Sequence, residues 1–321
     1  MLKFGIVGAG RIATDHANAL LLHTGCELAA VADIHLERAE ALAKDSGAKV
    51  YSDYKLMCGE EDLDAVIINL PHYLHCEAAV FFLEHKVSVM VEKPMAMNVN
   101  ECNRMISASK ESNAKLAVGH LQRFFPCYDV IKEIIASGKY GKLCMFTEVR
   151  NIDYFTGRPE WFLDKKRSGG GITMNFGAHT LDKLLYVTGL HVNEVFANAT
   201  NLLDCHSVEA CSQILLRMEN GVSAQLTYCG CHVPAAYETV FYFTNGAARI
   251  SDGRLWVSEK NLFIEQDVPG DTKNAIYDQL CEFVKFLHGE ECNIATAEFS
   301  KEIIEILDRI FFSIEQNAYK A

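Results

Sequence analysis

The sequence predicts a doubly wound α/β domain with a parallel sheet, followed by an α+β domain built on a large, mainly antiparallel open sheet. Three observations lead to this prediction. Short apolar runs alternate with helical patterns through the first third of the chain, this alternation stops near residue 122, and Asn-Gly pairs then separate longer strand-like runs. Repeated strand–helix units favour parallel strands joined by right-handed crossovers. We therefore predict one domain over residues 1–122 and a second over residues 123–321.

The strands of the first domain are predicted from runs that are apolar on both faces, as in a sheet covered by helices on each side. These runs are LKFGIVG, CELAAVAD, DAVIINLP and VSVMVEKP, and each precedes a helical pattern. In the second domain, CYDVIKEIIASG and NFGAHTLDKLLYVTG predict helices, and two more helices are expected over residues 274–287 and 296–317. Asn220-Gly221 and Asn245-Gly246 predict hairpins, because Asn-Gly suits the positive φ angles of a tight turn.

Composition excludes several classes of protein. The chain has 321 residues and a net charge of −12, which disfavours nucleic acid and anionic membranes as partners. There is no apolar run of about 18 residues, so no membrane span is predicted, and the first residues lack the layout of a signal peptide. Twelve scattered cysteines indicate reduced thiols in a cytoplasmic protein. The densest cluster, Cys229-Gly230-Cys231-His232, lacks a fourth metal ligand in sequence, so no metal site is predicted.

The first strand runs directly into a glycine-rich turn that has the pattern of a dinucleotide fingerprint. In GIVGAGRIA, Gly8 suits the tight turn, Gly10 permits close approach of a pyrophosphate, and Ala13 permits close helix–sheet packing. The helix that begins at Arg11 and Ile12 would present free N–H groups to the phosphates. The alternative is that these small residues only permit a tight turn between strand and helix.

An acidic residue at the end of the second strand completes the fingerprint. Asp33 can accept both ribose hydroxyls of NAD and repels the 2′-phosphate of NADP, so NAD is favoured over NADP. The alternative role for Asp33 is the N-cap of the next helix.

Two further strands end at the same carboxyl edge of the sheet, where open α/β folds bind ligands. Pro71, His72 and His75 follow one of them. The two histidines are spaced like zinc ligands on one helix face, but a polar helix start that faces the cofactor is the preferred interpretation. The other strand ends in Glu92 and Lys93, and a lysine at that edge can stabilise negative charge on a substrate oxygen as hydride leaves. The alternative is a strand-end ion pair between Glu92 and Lys93.

A second set of polar residues lies in SGGGITMNFGAHTLD. On a helix, Asn175 and His179 are i,i+4 neighbours and His179 and Asp182 are i,i+3 neighbours, so all three can share one face. The glycines Gly169 to Gly171 would let the backbone pass close to a ligand or a facing helix. His179 is the candidate general base, because a histidine titrates near neutral pH.

These motifs resemble the glucose–fructose oxidoreductase / inositol dehydrogenase (Gfo/Idh/MocA) family over nearly the whole chain. The resemblance implies an N-terminal Rossmann domain and a C-terminal open sheet that packs against another subunit in a homodimer or homotetramer. It also implies a catalytic Lys93 with a cis bond to Pro94, a proton-transferring His179, and an Asp182 that binds substrate or orients neighbours. Arg123 would shape the cofactor cleft.

The resemblance has exceptions. Many relatives carry aspartate where this chain has Asn175, and an amide can position a hydroxyl but cannot take a proton. His72 stands where asparagine is frequent. Trp161 is followed by Phe162, where the family often has arginine.

The predicted activity is NAD(P)-dependent hydride transfer at a secondary alcohol or ketone of a sugar, polyol or sugar derivative. Tyr154, Arg158 and Trp161, in the loop before the glycines, are candidate substrate contacts, although Arg158 can equally be a solvated loop charge and Trp161 a core residue. Four alternatives stay open: NAD-dependent glycoside hydrolysis with transient redox, dihydrodiol reduction, imine reduction, and a non-catalytic dinucleotide-binding protein.

Overall fold

The computed structural model describes residues 1–201 and 206–317, and these residues divide into two compact units. The first unit contains Met1–Leu121 and Lys273–Ile304, and the second contains Gln122–Thr272 and the chain from Glu305 onward. A single boundary near residue 122 was expected. The structure differs in that residues 273–304 return to the first unit.

The first unit is built on a seven-stranded sheet. Its first eleven elements are β1 (Leu2–Val7), α1 (Arg11–Leu22), β2 (Cys26–Ala32), α2 (Leu36–Ala43), β3 (Lys49–Tyr51), α3 (Tyr54–Glu60), β4 (Ala65–Ile68), α4 (His75–Glu84), β5 (Ser88–Glu92), α5 (Val99–Ser112) and β6 (Leu116–Gly119). The six strands β1 to β6 are parallel. β4 and β6 are buried at every position, as expected for a sheet covered on both faces.

The second unit carries an eight-stranded sheet. Its elements are α6 (Pro126–Ser137), β7 (Leu143–Asn151), α7 (Lys165–Ser168), α8 (Ile172–Thr188), β8 (Val192–Thr200), β9 (Cys211–Met218), β10 (Ser223–Cys229), β11 (Ala236–Phe243), β12 (Gly246–Ser251), β13 (Arg254–Glu259) and β14 (Leu262–Gln266). All neighbouring strands are antiparallel except β7 and β10. The fold-class prediction is therefore confirmed for both sheets.

The last elements of the chain are α9 (Ala275–His288), β15 (Ala295–Thr296) and α10 (Ala297–Asn317). Both predicted C-terminal helices are confirmed to within one residue at each end. β15 pairs antiparallel with β6 and completes the first sheet in the order β15-β6-β5-β4-β1-β2-β3. The second sheet has the order β14-β13-β12-β11-β7-β10-β9-β8.

Both predicted hairpins are present, but only one uses the predicted turn geometry. Asn220 and Gly221 have positive φ angles of 59° and 79° between β9 and β10. Asn245 and Gly246 do not have positive φ, and Gly246 is already the first residue of β12. A Cβ at Gly246 would lie 2.5 Å from the Tyr140 ring, so close packing explains this glycine.

Short helical turns connect several of these elements. They are the 3₁₀ segments His72–Leu74, Leu121–Phe124, Glu160–Leu163, Glu219–Gly221 and Thr272–Asn274. Across residues 1–201 and 206–317, no helix combines the length and the apolar character that are needed to cross a membrane.

Candidate functional site

The glycine turn after β1 has the geometry that a dinucleotide requires. Gly8 has φ +92°, and a Cβ there would lie 2.9 Å from the Asn69 carbonyl oxygen. Gly10 is the N-cap of α1, and a Cβ at Gly10 would meet no atom within 4 Å. Ala13 is fully buried. The turn is therefore tight at Gly8 and open at Gly10, above free N–H groups of the helix start, where a phosphate is stabilised.

Arg11 and Ile12 form the first residues of α1, as expected. The Arg11 side chain is exposed and Ile12 is half-buried. Their contact with a cofactor stays a prediction.

Asp33 lies directly after β2 and joins the glycine turn. Its Oδ2 accepts a hydrogen bond from the backbone N–H of Ala9 at 2.7 Å, and its Oδ1 accepts one from the N–H of His35 at 2.8 Å. The alternative that Asp33 is the N-cap of the next helix is wrong, because the N-cap residue of α2 is His35. The carboxylate is thus oriented beside the phosphate-binding turn.

The chain after β4 supplies buried polar groups beside the same turn. Both side-chain polar atoms of Asn69, Oδ1 and Nδ2, are buried without a hydrogen-bond partner in the part of the chain that the structure describes. Pro71 precedes the short turn that begins at His72, and His72 is buried. Buried amide atoms need partners, so Asn69 is suited to meet a polar ligand here.

His75 does not have the geometry of a zinc ligand. Its Nδ1 lies 2.9 Å from the Pro94 carbonyl oxygen and its Nε2 lies 2.8 Å from the Leu70 carbonyl oxygen. Burial lowers the pKa of His75, although the two carbonyl contacts act to raise it. A neutral ring has a single N–H, so His75 donates to one carbonyl and links the ends of β4 and β5.

Glu92 and Lys93 end β5 with the Glu92 carboxylate held by two groups. Its Oε1 lies 3.1 Å from His16 Nε2, and its Oε2 accepts from the backbone N–H of Lys93 at 3.2 Å. Burial acts to raise the pKa of Glu92, but the hydrogen bonds and charges of His16 and Lys93 together hold that pKa below its ordinary value. The predicted cis Lys93–Pro94 bond is confirmed.

The residues of the first unit fit a dinucleotide. The open space at Gly10 could hold a phosphate, the buried amide of Asn69 could meet a polar group, and the oriented carboxylate of Asp33 could accept from a ribose.

In the second unit, the predicted helix is confirmed as α8, and it carries Asn175, His179 and Asp182. Asn175 and Asp182 are buried, whereas His179 is half-buried and has the greater exposure of the three. His179 is therefore the member of this set that solvent can reach.

Asp182 is bound to Arg123 inside the second unit. The guanidinium donates to Asp182 Oδ1 from both Nε, at 3.1 Å, and Nη2, and both side chains are buried. Arg123 also lies over the Tyr186 ring at 4.7 Å. Of the two roles expected for Asp182, this contact supports the orientation of neighbouring residues.

The glycines before α8 allow close packing of the backbone. Gly169 has φ +82° and ends α7. A Cβ at Gly170 would lie 2.4 Å from the Phe311 ring, and one at Gly171 would lie 2.4 Å from the Glu209 carbonyl oxygen. The Glu209 carboxylate accepts from the N–H groups of Gly171 and Thr173. Glu209 therefore caps the start of α8, a role for which the sequence contains no local signal.

The three candidate substrate contacts lie together before the glycines. Tyr154 is fully buried, and its hydroxyl donates to the Gly171 carbonyl at 3.2 Å. Arg158 lies over the Tyr154 ring at 3.9 Å, and Trp161 stacks on Phe162 at 3.9 Å. The ring of Tyr154 thus packs against Arg158 of the same loop. Arg158 and Trp161 are half-buried, so part of each side chain stays accessible to a ligand.

A buried polar network beneath α8 could not be predicted from the sequence. Lys183 Nζ lies 2.8 Å from Glu148 Oε2, and both side chains are fully buried. Thr180, Thr239 and Tyr237 bond to the same pair. The network connects α8 to β7 and β11 and holds the helix that carries His179.

Two family models match this chain. A model described as the oxidoreductase family with an NAD-binding Rossmann fold, Gfo/Idh/MocA, matches residues 2–120. The C-terminal domain model of the same family matches residues 128–249. The chain belongs to the Gfo/Idh/MocA family.

Two dehydrogenases are similar to this chain over part of their length. The 1-carboxy-3-chloro-3,4-dihydroxycyclohexa-1,5-diene dehydrogenase of Comamonas testosteroni is 29% identical over 231 residues, which are 71% of this chain and 58% of that protein. The myo-inositol 2-dehydrogenase of Thermotoga maritima is 30% identical over 204 residues, 63% of this chain and 60% of that protein. The match therefore spans less than two thirds of either relative.

The fold of this chain is similar to the folds of solved oxidoreductase structures. An oxidoreductase from Agrobacterium radiobacter, crystallised with NAD⁺, L-tartaric acid and magnesium, has a TM-score of 0.88 to this chain. It is 17% identical, and the match covers 99% of this chain and 97% of that one. This similarity establishes the fold.

Proposed function

We propose that the protein is an NAD-dependent oxidoreductase that transfers hydride at a secondary alcohol or ketone of a carbohydrate-like molecule. The observation that carries the proposal is the carboxyl edge of the parallel sheet. The adjacent parallel strands β5, β4, β1 and β2 are directly followed there by Lys93, Asn69, the glycine turn and Asp33, respectively. Open α/β sheets bind their ligands at this edge.

The cofactor is held by the residues of that edge. The N–H groups at the start of α1 bind the pyrophosphate, and Gly10 leaves the space for it. The Asp33 carboxylate accepts hydrogen bonds from the adenosine ribose hydroxyls, and its negative charge repels a 2′-phosphate, so NAD is preferred over NADP. When bound, the nicotinamide ring supplies the hydride acceptor or donor.

Lys93 has the position and charge to act on the substrate oxygen. It directly follows β5, and the adjacent Glu92 carboxylate makes hydrogen bonds with the His16 ring and with the backbone N–H of Lys93. An ammonium group at the reacting oxygen stabilises the negative charge that develops during hydride transfer.

His179 takes the hydroxyl proton in the oxidative direction and returns it in the reductive direction. His179 lies on α8, and the Lys183–Glu148 ion pair holds α8 against β7. Asn175, one turn earlier, positions a substrate hydroxyl without taking its proton. Arg158 and Trp161 contribute binding surface for the rest of the substrate.

Separate Lys93→Met and His179→Ala variants test these roles. Each is expected to lose turnover and to retain NADH binding, measured by quenching or enhancement of NADH fluorescence. Lys44→Met and His288→Ala are matched controls, because both side chains are exposed and lie outside the proposed site. Wild-type turnover in either test variant would contradict the assignment of that residue.

The proposed substrate class is supported by the family and by relatives named as a myo-inositol 2-dehydrogenase and a D-glucoside 3-dehydrogenase. A spectrophotometric screen of NAD reduction over polyols, aldoses, uronates and nucleotide sugars identifies the compound. Product formation without net NADH would instead favour glycoside cleavage with transient redox.

We also propose that the protein forms a homodimer or homotetramer through the second sheet. The sheet exposes large apolar side chains, among them Phe196 at 56% and Leu215 at 53% exposure. Apolar surface of this kind favours association. Light scattering coupled to gel filtration is expected to give a mass above that of a monomer, and Leu215→Glu is expected to lower it.

A further inference from the structure

Three cysteine side chains meet at one end of the second sheet. The Sγ atom of Cys211 lies 3.5 Å from that of Cys229 and 3.6 Å from that of Cys231. The three sulfur atoms all lie within 4.8 Å of one another. Among the residues that the structure describes, no other group of three or more His, Cys, Asp or Glu side chains meets the same condition.

The pairing of β9 with β10 brings these distant residues together. Cys211 begins β9 and lies directly opposite Cys229, the last residue of β10. Residues directly opposite in an antiparallel pair point to the same face of the sheet. Cys231 follows two residues later, beyond the end of β10, and its Sγ atom lies 3.6 Å from that of Cys211. Gly230 lies between them, where a Cβ would be 2.9 Å from the Ala210 carbonyl oxygen.

The spacing of the sulfur atoms matches a metal site. Thiolates bind zinc at about 2.3 Å in a tetrahedral arrangement, which places neighbouring sulfur atoms about 3.8 Å apart. A disulfide needs a sulfur–sulfur distance of about 2.05 Å. The observed distances of 3.5 and 3.6 Å are thus near the value for sulfur atoms that share one ion.

His232 does not complete this group. Its Nδ1 lies 3.2 Å from the Asp153 carboxylate, and its side chain is 69% exposed. Burial, together with the hydrogen bonds and charges of Cys229 and Cys231, raises the pKa of Cys211 to about 12.

We propose that Cys211, Cys229 and Cys231 bind a soft divalent metal ion, Zn²⁺ in chemical type, with a fourth position left to water or a small ligand. Each thiol releases its proton to solvent as the sulfur–metal bond forms, so the three thiolates outweigh the 2+ charge of the ion by one negative charge and no electrons are transferred. Thiolate ligands select zinc over calcium and magnesium, which prefer oxygen.

The site would fix the loop that carries the candidate substrate contacts. The N–H of Ile152 donates to the Cys229 carbonyl at 3.0 Å, and the N–H of Tyr154 donates to the Gly230 carbonyl at 3.0 Å. The N–H of Gly230 donates to the Ala210 carbonyl at 2.7 Å. An ion bound by the three sulfur atoms therefore ties β9 and β10 to the loop after β7. This role is independent of the proposed hydride transfer.

The full-length protein, kept reduced with a phosphine reductant and freed of metal with a chelator, is the material for the test. Titration with Co²⁺ is expected to give the intense thiolate-to-cobalt absorption and the visible bands of a tetrahedral site, and Zn²⁺ is expected to displace the Co²⁺. X-ray absorption of the zinc form is expected to show three sulfur neighbours at about 2.3 Å. The thermal midpoint should rise on addition of Zn²⁺, because the ion binds only the folded state.

Single Cys211→Ser, Cys229→Ser and Cys231→Ser variants are expected to lose this absorption and the thermal shift. Their affinity for zinc should fall by more than the ~10–100-fold that loss of an outer-shell contact costs. Cys58→Ser is the matched control, because Cys58 is half-buried like the three cysteines but lies in the first unit. It should bind zinc as the wild type does. Circular dichroism identifies any variant that has not folded.

Two results would overturn the proposal. One is thiolate–cobalt absorption that survives in all three folded variants, since the ion would then be bound elsewhere. The other is a folded, reduced and metal-free wild-type protein that shows no thiolate-to-cobalt absorption on titration with Co²⁺ and no rise of its thermal midpoint with Zn²⁺. Neither result would affect the assignment of Lys93 and His179, which is tested by turnover.

Discussion

Replacement of Lys183 by methionine tests how α8 is held on its sheet. The ammonium group and the Glu148 carboxylate are both fully buried and lie 2.8 Å apart. Methionine has similar length and volume, so the substitution removes the charge and its hydrogen bonds while leaving little cavity. What remains is a buried carboxylate with the hydroxyl groups of Thr180 and Thr239 as donors.

The expected loss in the free energy of unfolding follows from the uncompensated charge of Glu148. Removal of one partner from a buried ion pair costs about 3–5 kcal/mol, whereas replacement of both partners by apolar groups is often neutral. We therefore expect Lys183→Met to lower the free energy of unfolding of the second unit by about 3–5 kcal/mol. The double variant Lys183→Met/Glu148→Leu should recover most of this loss. Lys166→Met, at an exposed position, should stay within about 0.5 kcal/mol of the wild type.

Urea unfolding followed by tryptophan fluorescence measures this effect selectively. The chain has two tryptophans, Trp161 and Trp256, and both lie in the second unit. A loss below about 1 kcal/mol in Lys183→Met, or a double variant as unstable as the single one, would refute the reasoning that the pair is buried and coupled.

Three further outcomes are expected. Asp33→Asn should raise the affinity for NADPH relative to NADH at least about tenfold, because the charge that repels the 2′-phosphate is removed. Fluorescence titration measures both affinities, and an unchanged ratio would contradict the role of Asp33 in cofactor preference. Gly170→Ala should lower the thermal midpoint, because the added Cβ would lie 2.4 Å from the Phe311 ring. Gly59→Ala is the control and should not lower it, because a Cβ at Gly59 would meet no atom within 4 Å. Equal midpoints for the two variants would contradict the packing explanation. Burial acts to raise the pKa of Glu92, but the hydrogen bonds and charges of His16 and Lys93 hold it below its ordinary value of 4.5. The contribution of Glu92 to stability is therefore complete above about pH 4.5 and is lost as pH falls through the lower folded value. Acid unfolding should be less pH-dependent in Glu92→Gln, and an identical profile would contradict this.

Much of the first unit could be predicted from sequence. The glycine turn at Gly8 and Gly10 and the strand ends at Asp33 and Lys93 depend on a few consecutive residues, whose types restrict the backbone strongly. α8 was predicted for a similar reason, from the helical pattern of NFGAHTLDKLLYVTG, and the observed helix begins three residues earlier, at Ile172. Asn245-Gly246 shows the limit of such signals: the hairpin exists, but Gly246 is required by packing against Tyr140 rather than by its φ angle.

The return of residues 273–304 to the first unit could not be read from sequence. The pattern of α9 predicts a helix with one apolar face, and that pattern is the same whichever unit covers the face. The structure shows that Phe283 of α9 packs against Phe4 of β1, with ring centroids 6.1 Å apart. The order of elements along a chain does not specify such a contact.

By itself, the sequence determined where strands, helices and tight turns form, and which residues stand at strand ends, because these properties depend on neighbours a few positions apart. Only the tertiary structure decided that Arg123 binds Asp182, that Lys183 binds Glu148, and that Cys211 meets Cys229 and Cys231. These partners are 18 to 59 residues apart along the chain. Their meeting depends on strand register and on helix packing, which no local pattern of residues encodes.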